Sequence, residues 1–207
     1  NNILTYDKTL GEHHFNLLAG QEAYSYRYDV LRASRSNMAL PDFPELAVGS
    51  LVTGGTGYRV DYSLVGYFLN AQYDYQSKYF FSGSYRRDGS SRFAPETRWG
   101  NFWSVGASWR IDREDFMVAA SDWLSALTLK VSYGAQGNDN LGTYYASSGL
   151  YSVVSNNGEN ALVSDRLATP KLKWETNLNF NAGIDFSLFN NRFSGSFDFF
   201  QRRSKDL

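Results

Sequence analysis

Residues 174–188 read Trp-Glu-Thr-Asn-Leu-Asn-Phe-Asn-Ala-Gly-Ile-Asp-Phe-Ser-Leu. The even positions carry Trp174, Thr176, Leu178, Phe180, Ala182, Ile184, Phe186 and Leu188. The odd positions carry Glu175, Asn177, Asn179, Asn181, Gly183, Asp185 and Ser187. Successive side chains of a strand point to opposite faces, so this stretch predicts a strand with one apolar and one strongly polar face. Leu127–Gln136 and Trp99–Ile111 repeat the pattern. Tyr62–Tyr75, Lys78–Asp88, Arg192–Gln201 and His14–Tyr28 carry weaker copies, and Ile3–Leu10 is short and poorly patterned. About eight strands are expected by this alternation. In His14–Tyr28 the apolar parity shifts from Phe15, Leu17 and Ala19 to Tyr24, Tyr26 and Tyr28, which predicts a bulge near Gly20.

Most of these strands are longer than the usual ~5–6 residues and reach the ~9–11 that cross a bilayer at a tilt. Aromatics gather at strand ends: Tyr26, Tyr28, Tyr62, Trp99 and Trp174 at one end, Tyr73, Tyr75, Tyr79, Trp109, Phe189 and Phe193 at the other. An apolar band between two aromatic girdles is the arrangement of outer-membrane barrels. A soluble β-sandwich alternates too, with shorter strands and no paired girdles. It stays open as a surface carbohydrate-binding alternative.

Composition narrows the classes. The 207 residues are 43% hydrophobic and 17% aromatic, which excludes a disordered chain. Cys is absent, so thiolate catalysis, disulfides and iron–sulfur sites are excluded. The net charge of −1 offers no basic stripe for nucleic acid. The longest apolar run, Phe116–Ala120, is five residues, against roughly 20 for a spanning helix. No signal-peptide pattern opens the stretch.

Connections alternate in length. Gly11–His13, Gln76–Ser77 and Phe189–Asn191 are short. Asp112–Ala126 is medium and predicts a helical turn with acids in its first turn. Asp29–Asp61, Gly89–Arg98 and Gly137–Lys173 are long. Outer-membrane barrels have short periplasmic turns and long outside loops, so the first strand is expected to run inward. Asn1 and Leu207 are then both expected outside, which suits an internal piece of a larger barrel better than a complete small structural one. Polar faces of Asn, Ser, Thr, Asp and Lys suit a wide lumen better than the packed interior of eight strands.

Several segments resemble the SusC/RagA-type TonB-dependent outer-membrane transporters of Bacteroidetes. They are Tyr85–Phe93 (Tyr-Arg-Arg-Asp-Gly-Ser-Ser-Arg-Phe) with Arg98-Trp99-Gly100 and Ser104–Ile111, then Leu129–Asp139, and Leu172–Glu175 leading through Gly183-Ile184-Asp185 to Phe189–Phe193. The resemblance covers nearly the whole chain. It implies an all-β fold, with about eight antiparallel strands of a 22-stranded transmembrane β-barrel, residues 1–207 forming part of one barrel domain. It also implies an N-terminal plug and signal peptide outside this sequence, TonB coupling through that region, a SusD-like surface lipoprotein as partner, and import of oligosaccharides or peptides across the outer membrane. No cofactor, metal or enzymatic activity is expected.

Candidate contact residues follow. Arg86, Asp88 and Arg92 sit with Arg87 and Arg98 around one hairpin. They read either as charged contacts to solute, plug or lid, or as a hairpin tip held by Arg–carboxylate pairs. Arg87 has the outward parity and is expected to snorkel. Tyr144, Tyr145 and Tyr151 lie in a long Asn/Ser/Gly-rich loop, where aromatics suit sugar or peptide stacking or packing against the lid. His13-His14 point to opposite faces and make a poor metal pair. Gly54-Gly55-Thr56-Gly57 lacks the Lys-Ser/Thr ending of a phosphate loop and reads as a flexible outside loop. Asp112, Glu114 and Asp115 read as first-turn acids of a short helix rather than a catalytic set.

Overall fold

A computed structural model describes residues 1–205 apart from Pro41 and Pro44. The expected outside position of Leu207 lies beyond the described residues. Among the described residues ten strands form: β1 (Asn2–Leu10), β2 (His13–Met38), β3 (Gly49–Tyr75), β4 (Tyr79–Ser90), β5 (Trp99–Arg110), β6 (Leu124–Asn138), β7 (Leu150–Asn156), β8 (Glu159–Arg166), β9 (Glu175–Leu188) and β10 (Phe193–Lys205). Eight make one sheet in the order β1-β2-β3-β4-β5-β6-β9-β10, and β7-β8 form a separate hairpin. All eight strands expected from the alternation are present. The pairings β1/β2, β3/β4, β4/β5, β5/β6, β6/β9 and β9/β10 are antiparallel.

This arrangement answers both alternatives. Among the described residues the strands divide into one eight-stranded sheet and one two-stranded hairpin, not into the two comparable sheets of a sandwich. The edges of the sheet are β1 and β10, which do not pair with each other among the described residues. A closed barrel of these eight strands would need that pairing.

The short connections lie side by side at one end. Gln76 donates its backbone N–H to Glu12 at 2.8 Å, Arg110 to Lys78 at 2.8 Å and Phe189 to Trp123 at 2.7 Å. The β3–β4 turn puts Gln76 and Ser77 at φ 54° and 51°, a left-handed conformation costly for non-glycine residues. The Gln76 amide donates to Glu12 Oε2 at 2.6 Å, which offsets part of that cost.

Two expectations about connections are corrected. The predicted loop Asp29–Asp61 is mostly strand, because β2 runs on to Met38 and β3 starts at Gly49, and Gly54–Gly57 lies within β3. Residues Tyr24–Ser63 form a compact unit of their own, distinct from Asn1–Ala23 with the chain from Leu64 onward. In that hairpin Tyr24 meets Tyr62 at 6.0 Å and Tyr28 meets Tyr58 at 6.4 Å, while Arg27–Asp61 (2.7 Å) and Arg59–Asp29 (2.5 Å) pair the strands through the odd positions. Such cross-strand pairs stabilise an otherwise marginal ribbon. Tyr26, Tyr28 and Tyr62 are therefore mid-strand residues of this hairpin, not a strand-end girdle. The bulge expected near Gly20 is absent from the β1 pairing, which runs uninterrupted from Leu10↔His13 to Asn2↔Gln21. Gly20 instead accommodates the Phe68 ring, which occupies the space of its missing Cβ.

At the short-turn end the aromatic girdle is continuous. Phe15 meets Tyr73 at 5.0 Å, Tyr73 meets Phe81 at 6.2 Å, Tyr75 meets Tyr79 at 6.4 Å, Tyr79 meets Trp109 at 6.3 Å and Trp109 meets Phe116 at 6.5 Å. His13 joins it through Tyr73 OH at 2.8 Å, while His14 points the other way, to Asp74 at 2.8 Å and Asp7 at 3.1 Å.

The medium connection holds two 3-10 helices, Ile111–Arg113 and Asp115–Ala120. Asp112 and Asp115 lie in their first turns, as expected, and neither helix has a side-chain cap hydrogen bond. Glu114 accepts hydrogen bonds from Tyr79 OH at 2.6 Å and Trp109 Nε1 at 2.9 Å and pairs with Lys78 at 3.4 Å. These bonds hold its carboxyl below the ordinary 4.5. Burial pushes Asp112 up, but Arg110 at 2.6 Å and the Leu127 N–H at 3.1 Å outweigh it, leaving its carboxyl below the ordinary 3.8. The two acids clamp the girdle to the turn.

Candidate functional site

The polar face is built by parity alone. Antiparallel register sets the even residues of β4, β5 and β6 beside the odd residues of β9 and the even residues of β10. Near mid-strand Lys130 of β6 reaches Asp185 of β9 at 2.9 Å and Asp198 of β10 at 3.0 Å. Toward the long-loop end Asn177, only 3% exposed, accepts from Arg202 Nε at 3.1 Å and Ser204 Oγ at 2.5 Å, and Asn138 donates to Glu175 at 2.8 Å. Ser84 and Ser104 bond at 2.6 Å across β4 and β5. Lining a crevice of about 460 Å³ here are Ser84, Arg86, Asp88, Ser104 and Gln136. The surface is hydrogen-bonding and charged in both signs.

At the long-loop end a buried cluster closes the tip of the β4–β5 hairpin. Phe93, 2% exposed, packs on Trp174 at 5.4 Å, and Phe102 meets Trp174 edge-on at 5.2 Å, with Leu64, Leu141 and Leu172 against them. Trp174 Nε1 donates to the Arg98 carbonyl at 2.8 Å and Thr97 Oγ1 to the Leu172 carbonyl at 2.7 Å. Trp174 is thus an internal anchor just before β9, correcting its expected place in the outward girdle. A signal for this cluster was present: Phe102 breaks the small, polar parity of β5.

The structure brings some of the candidate residues together. Arg86 donates from Nε to both Asp88 oxygens, at 2.7 and 2.6 Å, bonds Glu22, and lies 5.5 Å over the Phe68 ring. Asp88 is 7% exposed. Arg92 donates to the Asp139 carbonyl at 2.7 Å and stacks 4.8 Å over Tyr144. Ser90 Oγ bonds Asp139 at 2.7 Å. Arg86, Asp88, Arg92 and Tyr144 are therefore tied into the tip and the base of the loop. The Tyr145 carbonyl accepts from Arg166, and the residue is 36% exposed. Tyr151 lies on β7, opposite Ser164 and 67% exposed, away from that knot. The long loop 137–173 is not uniform, because β7-β8 stiffens its middle.

Three comparisons bear on this arrangement. Residues 1–207 match the family model described as "TonB dependent receptor-like, beta-barrel". The chain is 31% identical over 211 residues to the TonB-dependent receptor P3 of Formosa agariphila, covering 100% of this chain and 21% of that protein. It is 32% identical over 215 residues to the TonB-dependent receptor SusC of Bacteroides thetaiotaomicron, again 100% of this chain and 21% of the relative. The RagAB peptide transporter structure superimposes with a TM-score of 0.92 at 28% identity, covering 99% of this chain and 23% of that one. The chain spans about a fifth of the length of these relatives.

Proposed function

Because this chain belongs to the TonB-dependent receptor β-barrel family and is of its SusC/RagA type, an outer-membrane transporter family and not an enzyme family, we propose that it is one stretch of the wall and outer loops of a larger nutrient-importing barrel. The apolar face meets lipid and the polar face lines the passage. The cargo is a large polar nutrient, an oligosaccharide or a peptide. A SusD-like surface lipoprotein covers the outside, and TonB acts through a plug region beyond these residues. The observation that carries the reading is the two-faced sheet, apolar on one side and bearing Lys130, Asp185, Asp198, Asn177 and Arg202 on the other.

Arg86–Asp88 and Arg92–Tyr144 hold the loop bases, while Tyr145, 36% exposed, and Tyr151, 67% exposed, are the candidates for contact with solute or lid. The test is growth of a strain lacking the full-length transporter on single oligosaccharides or peptides, complemented with wild type or with Tyr145→Ala/Tyr151→Ala. The expected result is a solute-specific growth defect in the null strain, and slower uptake by the double variant at unchanged outer-membrane abundance. A null strain that grows normally on every such nutrient removes the import reading. Normal uptake by the double variant removes the two tyrosines from it.

A further inference from the structure

Arg87 is a cation on the wrong face. It follows Arg86 in β4 and so points outward among the apolar residues. Register sets it between Tyr67 of β3 and Asn101 of β5. Its guanidinium carbon lies 5.3 Å over the Trp99 ring, which in turn stacks on Tyr67 at 6.3 Å. The Trp99 ring lies flat against Gly89, with ring atoms 3.0 Å from where a Cβ would be, so the platform is pinned. Asn101 Oδ1 accepts from Tyr85 OH at 2.8 Å, which leaves its amide N–H groups as donors beside the guanidinium. Among the described residues no carboxylate pairs with Arg87. It is exposed.

The charge on this face has one sign. Four strands along the sheet, on β10, Arg203 and Lys205 share the outward parity of Phe197 and Phe199 and lie at the same long-loop end, apart from Arg87. No outward position of the eight sheet strands, taken within the unit that holds Arg87, is Asp or Glu. A donor-only cluster on an aromatic platform, at the outer border of an apolar band, matches an anion held at headgroup depth. Guanidinium takes phosphate in a bidentate fork, Trp favours the headgroup level, and cations at that level favour anionic lipid.

We propose that Arg87 and Asn101, on the Trp99–Tyr67 platform, dock the phosphate of a phosphorylated lipid of the outer leaflet. The site rests on outer-membrane placement with the short turns inward, and is independent of which solute is imported.

The test uses the full-length transporter in a neutral detergent, titrated with diphosphoryl lipid A or with a phosphate-free galactosyl diacylglycerol and read by native mass spectrometry. Wild type is expected to bind lipid A more tightly than the galactolipid. Arg87→Gln should weaken lipid A about fivefold, the worth of one cation near a charged lipid surface. Lys8→Gln, on the same face at the opposite end, should leave it unchanged. Asn101→Asp, which neutralises Arg87 without removing it, should reproduce the loss, and keeps the test decisive should Arg87→Gln fail to fold, as judged by heat-modifiable gel mobility. Folded Arg87→Gln with wild-type affinity overturns the proposal. So does equal weakening by Lys8→Gln, or displacement of lipid A by millimolar inorganic phosphate, which would make this a site for free phosphate.

Discussion

The ring of Phe102 occupies the space that a side chain on Gly137 would need. The same ring also fills the space above Gly100, and Trp174 closes its third side. It is therefore bounded on three sides. Gly137→Ala should push Phe102 off Trp174 and destabilise the tip by about 1–3 kcal/mol, the usual cost of overpacking. Protease nicking in residues 91–98 or 139–149 of the folded transporter is the readout. Wild-type resistance would show that the ring has room after all.

Phe93→Ala should do more. At 2% exposure it is the most deeply buried large side chain of the cluster, and truncating a buried Phe costs about 3–5 kcal/mol. The expected outcome is loss of order in the β4–β5 tip with the sheet intact, seen as faster amide exchange confined to residues 91–98 and 139–141.

Arg86→Lys removes the two-pronged contact with Asp88 and keeps the charge. The largely buried Asp88 then loses the Nε–H shared between its two oxygens, which should cost about 1.5–3 kcal/mol, the range for hydrogen bonds to charged groups. Chemical denaturation of the detergent-solubilised transporter checks this. A change under half a kcal/mol would mean that Lys reaches Asp88 equally well.

Lys130→Gln should barely alter stability, by about 0–1 kcal/mol, because all three members of the Lys130–Asp185–Asp198 set are 39–50% exposed. It should instead change how charged solutes pass, since two carboxylates are left unneutralised. Paired uptake of cationic and anionic peptides reads that difference.

Acid should loosen the short-turn end. Glu114 and Asp112 are held below their ordinary 4.5 and 3.8. Carboxyls depressed in the fold stabilise it above their unfolded values, and that contribution is lost as pH falls through the folded values. Stability from this clamp should be level at neutral pH and decline below about pH 4.5, and Glu114→Gln should flatten the decline. Tryptophan fluorescence against pH reports it through Trp109, which donates to Glu114 at 2.9 Å.

The sequence by itself determined the eight sheet strands, their two-faced character, the short turns at one end and the family. Each follows from a local rule: period two needs only neighbouring residues, and a turn needs only its own few. Other features were decided by the tertiary structure alone. Trp174 shares the apolar parity of its strand, yet turns inward because Phe93 and Phe102 offer a pocket and Arg98 a carbonyl. Asp112 is the helix-start acid that the sequence suggests, but Glu114 binds Tyr79, 35 positions away, because the turns pack side by side. Tyr24–Ser63 pairs into a long ribbon whose cross-strand matches, such as Arg27 with Asp61, join residues 34 positions apart. Lys130 and Asp185 meet across 55 positions. Such contacts depend on strand order and register, which alternation along one strand does not encode, since every even-step shift of a neighbour preserves the same two faces.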